Sequence, residues 1–226
     1  MASTKIWIEQ CKYKRGERFI NRLQSLPISV FPRSSEPFGY TYGIWGARWW
    51  QWLLSIPKSH SPAFDSDGSN ANVNQNDPNV FFLCQTCEEG TPIIPNRTVS
   101  VPAGRSILMP VINWISVLHV DGETDQELRD LAIMRMDVIG NLQIKINGLE
   151  VSEGIDEYRA QSPFFESFLP DDNILKLPSG PIRAVSDGYW LFFRPLDVDT
   201  KISSFGSCSS GATQIGANYN LLIDHE

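Results

Sequence analysis

The chain has 226 residues, a formal net charge of −7 and a sequence pI near 5.0. This excess of acidic residues argues against phosphate backbones as ligands, because nonspecific nucleic-acid binding needs a basic face. Hydrophobic residues make up 42% of the sequence, which is enough for a sizeable core. No run of about 20 apolar residues exists to span a bilayer. These features favour one domain and exclude nucleic acid and a membrane span as interpretations.

Residues 1–36 are predicted to form an N-terminal arm that precedes a single β-sandwich domain over residues 37–226. Residues 6–8 can add a short strand, and prolines at positions 27 and 32 interrupt the segment before the domain. The N-terminus lacks the apolar core segment of a signal peptide. We therefore expect the chain as given to be cytoplasmic.

A tryptophan-rich stretch, residues 42–57, carries four of the seven tryptophans and is predicted to be a helix. At about 100° per residue, Trp45, Trp49 and Trp52 share one face of this helix. Trp50 and Leu54 point away from that face. The helix is therefore apolar on two sides, and we expect it to be buried between a sheet and a second layer.

Arg48 lies at the margin of this tryptophan face. An unpaired guanidinium beside an apolar surface costs several kcal/mol, so we expect a carboxylate to meet it. Residues 59–78 then form a long polar loop, and short apolar runs typical of strands follow from residue 79. Pro110 falls within one of these runs and indicates a sheet edge or a bulge, because proline cannot donate to the ladder.

Thr124 and Glu127 form a capping-box pattern that predicts the start of a second, amphipathic helix. Arg135 lies in the middle of the predicted apolar face of this helix. We therefore expect Arg135, like Arg48, to reach a polar pocket at the edge of the core. The apolar residues that share this predicted face are Leu128, Leu131, Ala132, Val138 and Ile139.

Strand patterns resume after the second helix and continue to the end of the chain. Asn147-Gly148 between apolar alternations predicts a tight hairpin, and Ser186-Asp187-Gly188 predicts another turn. About eight to ten short strands with turns at this spacing are typical of an antiparallel β-sandwich or jelly roll. The predicted fold is mainly β, with a buried tryptophan-rich helix and one further helix.

Several motifs together resemble a family of uncharacterised bacterial and archaeal proteins that are often secreted. These motifs are WGARWWQWLLSIP, VPAGRSILMPVIN, YRAQSPFFE with LPDDN, and SDGYWLFFRPL with the terminal YNLLI, and they cover roughly residues 40–224. The family has no assigned activity, so the resemblance implies none. Its members carry a cysteine pair and a histidine near positions that Asn72, Val99 and Lys201 occupy here. These departures fit a chain that stays in a reducing compartment.

Metal and cofactor ligands are not predicted. Cys84 and Cys87 form a single CxxC, whereas a zinc site needs further cysteines or histidines at ligand spacing. His119, Asp121, Glu123 and Asp125 could bind a divalent cation through oxygen atoms. A polar turn whose acidic residues favour the following helix N-terminus explains the same cluster, and we prefer that interpretation.

Paired carboxylates are the enzymatic interpretation that the sequence allows. Glu166, Asp171 and Asp187 lie near aromatic residues, and two carboxylates about 5 to 9 Å apart are what glycoside cleavage uses. The non-catalytic alternative is that Asp187 closes a turn while Glu166 pairs with Arg48 or Arg135. The predicted enzyme would be a hydrolase or lyase acting on a polysaccharide or another polar substrate.

The preferred interpretation is a non-enzymatic binding or self-assembly module. A concave site with aromatic walls and a few polar groups suits a carbohydrate or a small molecule. Apolar surface at Trp50, Leu54 and the arm would favour a homo-oligomer. The predicted ligand-binding residues are Arg48, Trp50, Arg135, Tyr158, Arg159, Tyr189 and Trp190.

Overall fold

The computed structural model describes residues 28–86, 94–209 and 214–225, and these residues form two helices and two five-stranded sheets. The helices are α1 (Tyr42–Leu54) and α2 (Asp125–Asp137). The strands are β1 (Val80–Phe82), β2 (Asn96–Pro102), β3 (Ser106–Val117), β4 (Ile139–Ile146), β5 (Leu149–Glu150), β6 (Arg159–Gln161), β7 (Phe165–Leu169), β8 (Gly180–Phe193), β9 (Thr200–Cys208) and β10 (Gln214–Asp224). The prediction of a mainly β protein with a buried tryptophan-rich helix is confirmed.

Both sheets are mixed rather than wholly antiparallel. The first sheet has the order β1-β3-β8-β6, with β7 also paired to β8, and the second has the order β2-β10-β9-β4-β5. Each sheet contains one parallel pair, β1 with β3 and β2 with β10. Both parallel pairs join strands that the chain reaches through long connections, and the sequence pattern carries no signal for such pairing.

Helix α1 packs against β6, β7 and β8 of the first sheet and is buried on two sides, as predicted. Its start is fixed by Thr41, whose side chain accepts a hydrogen bond from the Ile44 backbone. Trp50 is only 6% exposed and Leu54 is fully buried. The prediction that these two residues provide exposed apolar surface for self-association is therefore wrong. None of the described helices is long and apolar enough to cross a bilayer.

The N-terminal boundary is less sharp than the sequence indicates. Within the described residues, Val30 bridges to Phe193 of β8, and the Phe31 backbone N–H donates to the Phe192 carbonyl at 2.8 Å. Residues 28–36 thus continue the packing of the first sheet. The remainder of the predicted arm, including the predicted strand at residues 6–8, lies outside the described residues.

Local turn and cap signals give the elements that they predict. The Asn147-Gly148 hairpin joins β4 to β5, and both residues have positive φ, as this tight turn requires. The reciprocal capping box of Thr124 and Glu127 starts α2. The register of β3 shifts at Pro110, which confirms the predicted bulge.

The predicted turn at Ser186-Asp187-Gly188 is wrong, because all three residues lie inside β8. Gly188 is needed there, since a Cβ atom at this position would lie 2.5 Å from the Asn113 side chain on the adjacent strand. Asp187 is 2% exposed and is tolerated because Arg159 pairs with it at 2.7 Å. Tertiary pairing therefore overrides the turn propensity of this tripeptide.

The polar loop over residues 61–79 is held to the second sheet by a buried arginine. Arg97 on β2 donates to the Asp65 carbonyl at 2.8 and 3.1 Å, to the Cys84 carbonyl at 2.8 Å and to the Tyr219 hydroxyl at 2.9 Å. Burial alone would lower the pKa of Arg97, but the neighbouring Tyr219, Cys84 and Asp65 raise it above its ordinary value. The Asp65 carboxylate in turn accepts backbone hydrogen bonds from Gly68 and Asn70.

Candidate functional site

The central strand β3 has one long free edge in the described structure. On one side it pairs with β8 along nearly its whole length, from Ile107 to Val117. On the other side β1 pairs only with residues 106–108, and no strand among the described residues covers the remainder. Within the residues that the structure describes, the C-terminal half of β3 is therefore paired on one side only.

The hydrogen bonds at the end of β3 show which backbone groups face this free edge. The Leu118 N–H donates to the carbonyl of Arg183 in β8 at 2.9 Å. Because hydrogen-bonded and non-bonded pairs alternate along an antiparallel ladder, the N–H and C=O groups of Asn113, Ile115 and Val117 point away from β8. Asp121 satisfies Val117, since its carboxylate accepts from the Val117 N–H and its own N–H donates to the Val117 carbonyl. Asn113 and Ile115 each keep two outward-facing backbone groups, and no described residue pairs with them.

A cavity of about 950 Å³ lies along this edge, and we call it the β3 cleft. Side chains from both faces of β3 line the cleft: Asn113 and Ile115 from one face and Trp114 from the other. The cleft therefore lies beside the strand rather than above one face of the sheet. The walls are mostly apolar. Residues from α1 and the segment 174–177 line the cleft together with residues from α2, β4, β9 and β10: Trp49, Trp50, Ile174, Leu175, Leu177, Met136, Val138, Ile139, Cys208 and Ile215.

Some polar side-chain atoms in the walls of the β3 cleft have no hydrogen-bond partner among the described residues. Among the described residues, nine buried polar side-chain atoms have no partner, and four of them belong to residues that line this cleft. Those four are Trp50 Nε1, Asn113 Nδ2, Trp114 Nε1 and Gln85 Oε1. Three are donors and one is an acceptor, so the cleft wall has an excess of unpaired N–H groups.

Trp50 differs from its neighbours on α1 in this respect. The indole N–H groups of Trp45, Trp49 and Trp52 donate to the backbone carbonyls of Pro37, Leu83 and Val73 at 2.8, 2.8 and 3.0 Å. The Trp50 indole has no acceptor among the described residues. An unpaired buried donor costs about 1 to 3 kcal/mol, so this indole is the one on α1 that would gain most from an added acceptor.

Arg135 lies at the opposite wall, in the last turn of α2. Its guanidinium carbon stands 4.5 Å from the centre of the Trp114 ring. No carboxylate of the described residues lies within ion-pair distance of it, although Asp121 lines the same cleft. From the sequence, Arg135 was predicted to lie in the middle of the apolar face of α2. In the structure Arg135 is exposed and lies outside the buried face of this helix. The residues buried on that face are Leu128, Ala132 and Met136.

The remaining predicted ligand-binding residues are engaged elsewhere. Arg48 meets Asp77 at 3.2 Å and lies over the rings of Tyr40 and Trp45. This confirms the expected carboxylate partner, but the alternative pairing of Glu166 with Arg48 or Arg135 is wrong. Trp190 is fully buried, and a Cβ atom at Gly46 would lie 3.0 Å from its ring.

Tyr158 and Arg159 lie at the start of β6, on the side of β8 away from β3, and Tyr189 lies in β8 opposite Arg159. Burial raises the pKa of Tyr158 to about 12 and also raises the pKa of Tyr189. Burial would lower the pKa of Arg159, but hydrogen bonds to Asp187 and Asp137 raise it above its ordinary value. Arg159 and Tyr189 lie together beside Asp187, whereas the Tyr158 ring packs edge-on against Tyr42 of α1. Of the seven predicted ligand-binding residues, the structure brings Trp50 and Arg135 to one cavity.

The predicted catalytic carboxylates do not converge. Glu166 is exposed and stands opposite Arg183, four residues along β8 from Asp187, a separation of roughly 13 Å at the usual strand rise. Asp171 lies beyond the end of β7 and is exposed. Asp187 is held by Arg159 at 2.7 Å. The spacing that glycoside cleavage requires is therefore not found among these three residues.

The acidic cluster before α2 also has structural partners. His119 contacts Glu123 at 2.8 Å, and Asp125 pairs with Arg183 at 2.7 Å. Within the part of the chain that the structure describes, no three histidine, cysteine or acidic side chains lie close enough to hold a metal ion.

Few sequence features predict the β3 cleft. Asn113, Ile115 and Gln85 were not singled out, because a free strand edge depends on which strands pair, and that information is not local. Pro110 is the one signal that pointed to it, since it indicated an edge or a bulge in this strand. The segment 174–177, which closes one wall, carries no motif.

Comparison with known proteins identifies no family. No protein-family model matches the sequence, and no curated protein is significantly similar. One solved structure, described as "Structure of PbICP-C in complex with falcipain-2", aligns with 65% of this chain and 99% of its own, at 9% identity and a TM-score of 0.22. So low a TM-score supports no statement about fold or ligand. The resemblance to uncharacterised bacterial and archaeal proteins stays a prediction.

Proposed function

We propose that this protein is a non-enzymatic binding module whose ligand occupies the β3 cleft. The observation that carries the proposal is that a strand edge with four outward-facing backbone groups lies inside a large apolar cavity. Buried backbone polar groups are almost always paired, so an edge of this kind favours an added partner. The nitrogen donors of Trp50, Asn113 and Trp114 in the cleft walls are also without an acceptor among the described residues.

The size and lining of the cleft support this proposal. Its volume of about 950 Å³ lies within the usual range of ligand sites, and its walls combine apolar side chains with a few polar groups. Arg135 adds one positive charge without a described ion-pair partner. Because the carboxylates predicted for catalysis are dispersed, binding rather than hydrolysis is the function that these residues support.

A sandwich arrangement of the two sheets is part of the proposal. Gln85 donates to the carbonyl of Pro110 in the first sheet and to the hydroxyl of Ser204 in the second, both at 2.8 Å. A Cβ atom at Gly206 on β9 would lie 2.8 Å from Ile112 on β3. These contacts bring the inner faces together at the N-terminal side of the cleft, so that the cleft is the place where the two layers separate.

Uptake of a neutral apolar dye, N-phenylnaphthylamine, tests the proposal. We expect saturable binding with energy transfer from the cleft tryptophans to the dye. Leu175→Asp puts a charge in the cleft wall and should abolish saturable uptake. Leu222→Asp is the matched control, because Leu222 is an exposed leucine on β10 outside the cleft. Equal uptake by both folded variants would refute the cleft as a binding site.

A further inference from the structure

We propose that the ligand of the β3 cleft is an extended peptide that pairs with β3 as an added strand and places an acidic residue beside Arg135. This inference rests on the proposed function and names the class of ligand that the same site would take.

The backbone of β3 provides the main recognition element. Asn113 and Ile115 each present one N–H and one C=O toward the cleft, two residues apart along the strand. This is the spacing at which a neighbouring strand makes its ladder hydrogen bonds. A small apolar molecule would leave these four groups unpaired, whereas a peptide strand satisfies all of them.

The length of the free edge sets the length of the peptide. On the cleft side β1 leaves β3 after Leu108, and Asp121 closes the edge at Val117. The stretch of β3 that lines the cleft, from Ile112 to Val117, spans roughly 17 Å at the rise of an extended strand. A segment of five or six residues fills this distance, and a heptapeptide covers it completely. The peptide would end beside Asp121, because the Asp121 carboxylate already accepts the hydrogen bond of the Val117 N–H.

The two walls of the cleft suit the alternation of side chains along a strand. Asn113 and Ile115 pair with Gly188 and Ser186 of β8. These two residues of β8 share a face of the sheet with Trp190, and the Trp190 ring packs against Gly46 of α1. The side chains of Asn113 and Ile115 therefore lie on the α1 face of the first sheet. Trp114 lies on the opposite face, toward α2. Successive side chains of an added strand would therefore point alternately toward Trp50 with residues 174–177, and toward Met136 with Ile139.

Arg135 gives the site a charge preference on the α2 wall. Its guanidinium is held over the Trp114 ring at 4.5 Å, and the last turn of a helix favours a cation. The other charged residue that lines the cleft, Asp121, is committed to the Val117 N–H at 2.8 Å. An aspartate or glutamate on the peptide, in a position that points to the α2 wall, would give Arg135 an ion-pair partner.

The probes that test this inference are fluorescently labelled heptapeptides of alternating valine and threonine that carry one glutamate, moved through the sequence. Fluorescence anisotropy with the full chain should show saturable binding for at least one glutamate position. Only alternate residues of an added strand bond to β3. N-methylation of one alternate set of peptide amides should therefore abolish binding, whereas N-methylation of the other set should leave it nearly unchanged.

Variants of the protein separate backbone recognition from side-chain recognition. Asn113→Pro removes an N–H that does not bond to β8, and we expect affinity to fall by at least roughly tenfold. Asn113→Ala keeps that N–H and should bind nearly as well as the unmodified protein. Arg135→Gln should weaken the glutamate peptide by about two- to fivefold and leave the matched glutamine peptide unchanged.

Each contrary outcome identifies what fails. If the protein takes up N-phenylnaphthylamine but no peptide, or if both sets of N-methylated peptides bind equally, strand addition is wrong and the cleft holds small molecules. If neither dye nor peptide binds, the proposed function itself fails. If sedimentation shows that copies of the unmodified protein associate and that Asn113→Pro abolishes the association, the occupant is a second copy and the peptide inference is overturned.

Discussion

Replacement of the buried Arg97 by methionine tests whether one side chain anchors the polar loop to the second sheet. Methionine preserves much of the volume but removes four hydrogen bonds, two to the Asp65 carbonyl and one each to Cys84 and Tyr219. The Arg97 and Asp65 side chains are 1% and 4% exposed, so the Asp65 carboxylate would remain buried without its cation at 3.5 Å.

Loss of one partner from a buried ion pair costs about 3 to 5 kcal/mol. For a chain of this size each kcal/mol lowers Tm by about 2 to 4 °C, so Arg97→Met should lower Tm by roughly 6 to 20 °C. Calorimetry or thermal circular dichroism measures the shift. Limited proteolysis should also cut first within residues 61–79, since this segment loses its anchor.

Arg183→Met is the matched control, because Arg183 pairs with Asp125 at 2.7 Å while its side chain is 41% exposed. Exposed ion pairs contribute little, and we expect a Tm decrease of only a few degrees. If Arg97→Met lowers Tm no more than Arg183→Met does, burial does not set the value of this interaction and the argument is wrong.

Three further predictions follow from contacts elsewhere in the structure. Arg159→Met leaves the buried Asp187 without its cation and should lower the free energy of urea unfolding by about 2 to 3 kcal/mol. This cost is below that of a fully buried pair because the guanidinium is partly hydrated. An unchanged urea midpoint would contradict the prediction. Thr124→Ala removes the cap of α2 and should cost about 1 kcal/mol, whereas Thr124→Ser should cost little. Burial raises the pKa of Tyr158 to about 12 and raises those of Tyr42, Tyr189 and Tyr219. These phenols ionise more readily in the unfolded chain, so their contribution to stability is complete below about pH 10 and is lost as the pH rises toward 12. Denaturant unfolding across this pH range, with tyrosinate absorbance, measures the loss. A free energy of unfolding that stays constant would contradict the prediction.

Features set by neighbours in sequence were predicted well. The hairpin at Asn147-Gly148 and the capping box of Thr124 and Glu127 depend on residues no more than three positions apart, and both were found. The orientation of Trp45, Trp49 and Trp52 followed from helical periodicity alone. These elements have one dominant local conformation, so the rest of the chain does not alter them.

Features set by distant partners were not predictable. The residue type of Asp187 favours a turn, and only its ion pair with Arg159 explains why it lies buried within a strand. Trp50 was predicted to be available for self-association, but it is buried in the wall of a cavity that it shares with residues 174–177, and that segment carries no motif. The β3 cleft depends on β1 ending after three residues and on a parallel pairing that periodicity does not reveal. Glu166, Asp171 and Asp187 were predicted to be catalytic from their residue type, and residue type alone gives no distance between carboxylates.

The length and late position of β8 have a consequence for how this chain reaches its native state. Residues 180–193 pair with β3, β6 and β7, and Phe193 also forms the bridge to Val30. During synthesis the apolar face of β3 would emerge some 70 residues before the strand that covers it, and contacts across such separations form slowly. We expect nascent chains that stop before β8 to be aggregation-prone and dependent on chaperones, whereas chains that extend past residue 193 acquire protease resistance abruptly.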